Sequence, residues 1–144
     1  MTIWFDMDGT IADLYGVENW LPMLRAEDAT PYAIAKPLLR LATLARMLNK
    51  LQREGAEIGI ISWTAKGGTA EYNQAVADAK CEWLRKHLPS VEFDAIHIVA
   101  YGTPKIEFAI SDADILFDDE VANREAWGAN AYDADAILEV LRNL

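Results

Sequence analysis

Two carboxylates, Asp6 and Asp8, stand at the end of the apolar run Thr2-Ile3-Trp4-Phe5 and are followed by Gly9-Thr10. In an extended segment residues i and i+2 point to the same side, so the two side chains can converge on one spot. Like charges held that close repel unless a cation lies between them or one takes a proton. Oxygen-rich sites of this kind suit Mg²⁺, which takes one or two carboxylates and leaves room for water and phosphate. The plain alternative is a strand that runs into an ordinary Asp/Gly turn. The rest of the chain weighs against it.

Three later segments carry further reactive side chains. Ile58-Gly59-Ile60-Ile61 runs into Ser62-Trp63-Thr64, Lys105 follows Gly102-Thr103-Pro104, and Ile115-Leu116-Phe117 runs into Asp118-Asp119. With Asp6-Met7-Asp8-Gly9-Thr10, these segments resemble the four motifs of the haloacid dehalogenase (HAD) superfamily of phosphatases and phosphotransferases. Those motifs are DxDGT, a strand-ending Ser or Thr, a Lys, and an acidic pair after a strand. The resemblance spans Asp6 to Asp119, nearly the whole chain. The first and fourth motifs are specific as a pair, whereas Ser62 and Lys105 carry weight only beside them.

The resemblance implies a role for each of these residues. Asp6 is the expected nucleophile, forming an aspartyl-phosphate, a known role for carboxylates. Asp8 is the expected general acid and base. Its presence favours phosphatase over dehalogenase chemistry, since dehalogenase members lack the second Asp. Mg²⁺ is the expected cofactor, held by Asp6, the Asp8 backbone carbonyl and Asp118, with Asp119 as an additional ligand or beside them. Ser62, Trp63 and nearby backbone N–H groups would meet phosphate oxygens. Lys105 would neutralise phosphate or the nucleophile, and Lys66 competes for that part. Read without the resemblance, Ser62 is a strand-end residue, Lys105 a solvated lysine and Asp118-Asp119 a turn or helix cap. Trp63 either stacks on a base or covers the sheet.

Positioning such a site requires strands that end at one edge. Strands are expected at Thr2 to Phe5, Glu57 to Ile61, Ala95 to Ala100 and Ile115 to Phe117, with a short last one at Ala129 to Tyr132. Between them, the spacing of Leu38, Leu41, Ala45, Leu48 and Leu51 predicts a helix from about Pro37 to Glu54. Further helices are expected at Ala70 to His87, Ile106 to Ala109, Val121 to Trp127 and Asp135 to Leu141, and Trp20, Leu21 and Leu24 mark a short amphipathic one. Strands alternating with helices imply a parallel sheet with right-handed crossovers. The expected fold is therefore α/β: a Rossmann-like, three-layer α/β/α sandwich with a mainly parallel sheet, HAD-like in type. In open sheets of this kind, ligands bind outside the carboxyl ends of the strands, where Asp6, Ser62 and Asp118 all fall.

At 144 residues, the chain is expected to form one domain with a core that needs no staples. A single cysteine, Cys81, excludes an intrachain disulfide and reads as a packed thiol. His87 and His97 read as structural. Met1 leads directly into a strand, and no apolar run reaches the roughly 18 residues of a membrane span, so a cytoplasmic protein is expected. A net charge of −10 argues against general affinity for nucleic acid. Residues 11–37 leave room only for a small helical flap, a minimal cap over an open site. The expected substrate is a nucleotide or another small phosphorylated metabolite, since the arrangement is similar to small 5′(3′)-nucleotidases. A polynucleotide 3′-phosphatase is the alternative that an open site allows. A catalytically retired binding module is the alternative from another class.

Overall fold

The computed structural model describes all 144 residues. The first half of the chain forms β1 (Thr2–Phe5), β2 (Ala12–Asp13), α1 (Trp20–Arg25), α2 (Thr30–Ile34), β3 (Lys36–Pro37), α3 (Leu41–Arg53) and β4 (Glu57–Trp63). The second half forms α4 (Ala70–His87), β5 (Ala95–Val99), β6 (Ile115–Phe117), α5 (Val121–Trp127), β7 (Ala131–Tyr132) and α6 (Ile137–Arg142). Short 3₁₀ turns at Lys105–Phe108 and Ala134–Ala136 precede β6 and α6.

Five strands build the main sheet in the order β5-β4-β1-β6-β7, and every neighbouring pair is parallel. β1 is central, with Phe5 opposite both Ile60 and Phe117, and all four of its residues are buried. Alternation along β1 divides the core. Ile3 and Phe5 pack with Leu44 and Leu48 of α3, Trp83 and Leu84 of α4, and Ile137 and Leu141 of α6. Trp4 points the other way, joining Ile61 and Leu116 beneath Trp127 of α5 and Phe108. Helices thus cover both faces, which gives the expected three-layer, Rossmann-like α/β arrangement. Each fully buried leucine of α3 contributes about 1.5–3 kcal/mol, so this helix is held mainly by its apolar stripe.

Gly59, in the middle of β4, marks where the second face needs space. A Cβ there would lie 2.3 Å from the Trp4 ring, so the missing side chain is what admits the indole. The same indole donates to Asp114 Oδ2 at 3.2 Å. Asp114 also accepts from the backbone N–H groups of Thr2 at 2.8 Å and Ile110 at 2.7 Å. Burial alone would push this carboxyl up, but the N–H bonds outweigh it and hold Asp114 below the usual carboxylate range. One buried acid thus fastens the start of β1 to the entry of β6.

Three departures from expectation shape the surroundings of the strand ends. The helix expected from Pro37 begins at Leu41, because Pro37 and Lys36 pair antiparallel with Ala12 and Asp13, and the Leu38 N–H donates to the Ile11 carbonyl at 2.9 Å. Leu38 consequently stands exposed, and Leu44 takes the buried place on the helix. α2, with Pro31 in its first turn, was not expected at all. Its short, Pro-containing stretch shows no helical period, and Tyr32 is fixed there by tertiary contacts. Finally, β4 runs on through Trp63 because β5 pairs with it as far as Val99.

Cys81 is half-buried and its thiol is pushed up by burial, so it behaves as a packed, unreactive side chain. No helix is long and apolar enough to cross a membrane.

Replacing Asp114 by Ala leaves three backbone N–H groups, those of Thr2, Ile110 and Ser111, with the Trp4 indole and the Ser111 hydroxyl, without their acceptor. Asp114→Ala is expected to lower stability by about 2–4 kcal/mol, measured by urea denaturation, with the fold retained.

Candidate active site

β1 and β6 lie side by side, so the residues that follow them meet. The Asp6 N–H donates to the Phe117 carbonyl at 2.9 Å, and the Asp118 N–H donates to the Tyr132 carbonyl at 3.1 Å, which carries the ladder one residue past each strand. Lys105, from the 3₁₀ turn before β6, enters between the two acids. Its ammonium donates to Asp6 Oδ1 at 2.9 Å and to Asp118 Oδ2 at 2.6 Å. Asp118 is fully buried and takes further bonds from the Glu120 N–H at 2.9 Å and Asn123 Nδ2 at 3.0 Å. The Thr10 hydroxyl donates to Asp6 Oδ2 at 3.0 Å and accepts from the Asp119 N–H at 3.2 Å. Gly9, at φ 79°, makes this closure possible: a Cβ there would lie 2.3 Å from Asp119 Oδ2.

Carboxylate oxygens of Asp6, Asp118 and Asp119 lie within 4.8 Å of one another. Burial, then the charge of Asp6, pushes Asp118 up to about 6 and Asp119 up to about 7. One ammonium, Lys105, faces this cluster, so three carboxylates remain short of positive charge. An oxygen-ligated divalent cation such as Mg²⁺ fits that donor set.

Asp8 takes a different partner. Lys80 of α4, 1% exposed, donates to Asp8 Oδ2 at 2.9 Å, to Ser62 Oγ at 2.7 Å and to the Trp63 carbonyl at 2.7 Å. Burial pushes the Asp8 carboxyl up, the ammonium of Lys80 draws it back, and the charge of Asp6 raises it again; the balance lies above the usual range.

Sequence reasoning missed Lys80, although its position carried a signal. Tyr72, Val76, Lys80 and Leu84 recur at intervals of four along the buried stripe of α4. A lysine on such a stripe needs a buried partner.

A cavity of about 220 Å³ opens beside these acids and touches Asp6, Asp8, Asp118 and Lys105. Its walls are Leu14, Tyr15, Trp20, Leu24 and Tyr32 from residues 11–37, and Trp63, Thr64, Ala65 and Tyr101 from the strand ends. Of the residues expected at the site, Asp6, Asp8, Asp118, Trp63 and Lys105 line the cavity, and Asp119 joins the acidic cluster below it. Ser62 stands behind the wall: it is fully buried, and its oxygen accepts from Lys80. Thr64, two residues on, is the aliphatic hydroxyl residue among the lining groups. Trp63 donates its indole N–H to the Thr103 carbonyl at 2.9 Å, so what it offers the cavity is its ring. Lys66 reaches only the rim, with its ammonium 5.8 Å from the centre of the exposed Tyr101 ring. His97 stacks on Phe108 and His87 packs on Trp83, and neither lines the cavity.

Neither a family model nor a curated protein sequence matches the chain. Among solved structures, it is similar to a D,D-heptose 1,7-bisphosphate phosphatase from Burkholderia thailandensis, with a TM-score of 0.55 and 14% sequence identity. The match covers 90% of this chain and 72% of that one. That structure shares the fold, a Rossmann-like α/β arrangement with helices on both sides of a parallel sheet.

The raised Asp118 and Asp119 carboxyls have a signed consequence. Without metal, the folded protein holds protons here that the unfolded chain releases from about pH 4 upward. Their contribution to stability is present below that pH and is lost as pH rises through about 6 to 7. In chelator, Asp119→Asn is therefore expected to gain stability relative to the parent between pH 5 and 7.5, read from paired urea melts. Stability curves that stay parallel would reject the crowding of these acids. Mg²⁺ is expected to raise the parent's Tm more at pH 7.5 than at pH 5.

Proposed function

We propose that this protein is a divalent-metal-dependent phosphomonoester hydrolase that works through an aspartyl-phosphate on Asp6. The observation that carries the reading is the pairing of Asp6 with Asp8 on one cavity wall, each held by its own buried lysine. An ordinary turn has no use for two such acids beside a cavity. The HAD-like fold and the bisphosphate phosphatase of similar structure add to it at the level of reaction class.

In this reading Asp6 attacks phosphorus as the bond to the leaving oxygen breaks, and Asp8 gives that oxygen its proton. Water then attacks the phosphorus of the acyl phosphate. Asp8 takes the water's proton, the bond from phosphorus to Asp6 breaks, and inorganic phosphate leaves. The upward push on the Asp8 carboxyl favours the first of these roles, because the protonated form is the one that donates. Asp6, Asp118, Asp119 and the Asp8 backbone carbonyl would hold Mg²⁺, which supplies charge neutralisation for the transferring phosphoryl group when bound. Lys105 uses two of its three donors on Asp6 and Asp118, which leaves one for a phosphate oxygen.

The cavity favours a small monophosphate with a flat, weakly polar remainder, of which a nucleotide is the best fit. Trp20, Tyr32 and Trp63 offer ring faces and edges, and the only cation besides Lys105 on its walls is Lys66 at the rim. The same walls, together with the net charge of −10, weigh against a polynucleotide.

Two experiments test the reading. A panel of nucleoside monophosphates, sugar phosphates and 3′-phosphorylated oligonucleotides is expected to show turnover that chelation abolishes and Mg²⁺ restores. Full activity in excess chelator would reject the metal site, and no turnover on any member would leave a retired binding module. Second, Asp6→Asn is expected to abolish turnover while the far-UV dichroism stays unchanged. Asp8→Asn is expected to lose about 10²–10⁴-fold on alkyl phosphates and far less on aryl phosphates, whose leaving groups need no proton.

A further inference from the structure

The buried lysine of α4 belongs to none of the roles assigned above, and its surroundings define one. A buried ammonium is costly unless all its protons are bonded. The Lys80 ammonium has three donors, and the structure places three acceptors around it: Asp8 Oδ2 at 2.9 Å, Ser62 Oγ at 2.7 Å and the Trp63 carbonyl at 2.7 Å. The ring of Tyr32 covers a further side, with its centre 5.2 Å from Nζ. No donor is left for a substrate oxygen, and at 1% exposure no path leads one there. Lys105 differs on this point, since it lines the cavity and keeps a free donor.

Packing fixes where that ammonium sits. Tyr72, Val76 and Leu84 flank Lys80 on the same buried stripe, and the Trp83 indole N–H ties α4 to the Ala35 carbonyl at 2.8 Å. Two of the three acceptors, Ser62 and the Trp63 carbonyl, belong to β4. The third is the side chain of Asp8, which is 19% exposed and lies in a loop beyond β1. Lys80 therefore joins a rigid strand end to the one acid that must aim at a leaving group.

We infer that Lys80 is a positioning residue, which fixes the Asp8 carboxyl for proton transfer and does not itself touch substrate. The inference rests on the phosphatase reading, and its test separates the two. Lys80→Met is compared with Asp8→Asn and with the double variant, on glycerol 2-phosphate and p-nitrophenyl phosphate with Mg²⁺. Lys80→Met is expected to lose about 10–100-fold in kcat on the alkyl ester and less than about 3-fold on the aryl ester, with KM within about 3-fold. Adding it to Asp8→Asn is expected to cost nothing further, since both changes break one link. A KM that rises with equal losses on both esters would make Lys80 a phosphate ligand instead. Additive losses would also overturn the proposal.

Met at position 80 strands a buried carboxylate, so the single variant can fail to fold. The double variant carries no such charge. Equal rates for it and Asp8→Asn on the aryl ester support the proposal, and a further tenfold loss rejects it. A crystal structure of Lys80→Gln gives a readout independent of turnover. A rotated Asp8 side chain is expected, and an unmoved one refutes the positioning role. If the parent turns over neither these esters nor any member of the phosphomonoester panel, the phosphatase reading fails by itself while this structural outcome still decides the positioning claim.

Discussion

Asp6, Asp118 and Asp119 bring carboxylate oxygens within 4.8 Å of one another, and Asp8 is two residues from the first of them. At about 4 Å, two like charges repel by about 4 kcal/mol at the effective dielectric near a protein surface. Several such pairs approach the whole net stability of a domain, about 5–15 kcal/mol. The neighbourhood is arranged around this load. Lys105 divides its bonds between Asp6 and Asp118, Lys80 serves Asp8, Thr10 joins Asp6 to the backbone of Asp119, and Asn123 adds a donor to Asp118. What remains uncompensated appears as carboxyls that hold their protons toward neutral pH.

Much of this was legible in the sequence, and the boundary of what was not is physical. β1 and β6 read clearly, since each is a short apolar run that ends abruptly in acid, the composition of a strand covered on both faces. From there the convergence of Asp6, Asp8 and Asp118 followed by topology. Lys80 stayed hidden because a helix stripe is read by its apolar members, and a lysine among them looks like an error in phase. The two-residue strands β2 and β3 carry no period to read. Their pairing depends on chain segments more than twenty residues apart, and it moved the start of α3 from Pro37 to Leu41. Ser62 lay at the expected strand end but faced inward, because what a strand-ending hydroxyl meets depends on which helix side chain reaches it.

The opposite edge of the sheet meets the same kind of problem with another solution. Asp114 is as buried as Asp6 and Asp118, yet it sits below the usual carboxylate range, because backbone N–H groups and an indole converge on it. Fixed dipoles settle a carboxylate permanently, whereas mobile cations and shared protons leave it responsive. The two ends of β1 thus show one residue type in a structural and in a reactive setting, distinguished by partners rather than by burial.

The cavity walls and the acids beneath them come from different parts of the chain. Leu14, Tyr15, Trp20, Leu24 and Tyr32 belong to residues 11–37, while Asp6, Asp118 and Lys105 hang from β1 and from the approach to and end of β6. Residues 11–37 leave and rejoin the body of the protein through the β2–β3 pair, a narrow stem. Divergence can therefore rewrite that insert, in length or in side chains, while the strand ends stay as they are. That independence has limits, because the Tyr32 ring rests against the Lys80 ammonium, the Ala35 carbonyl accepts from the Trp83 indole, and the Glu27 carboxylate accepts from Thr69. A lineage that exchanges the insert for another must still supply a flat ring over Lys80 and acceptors for α4 and its cap.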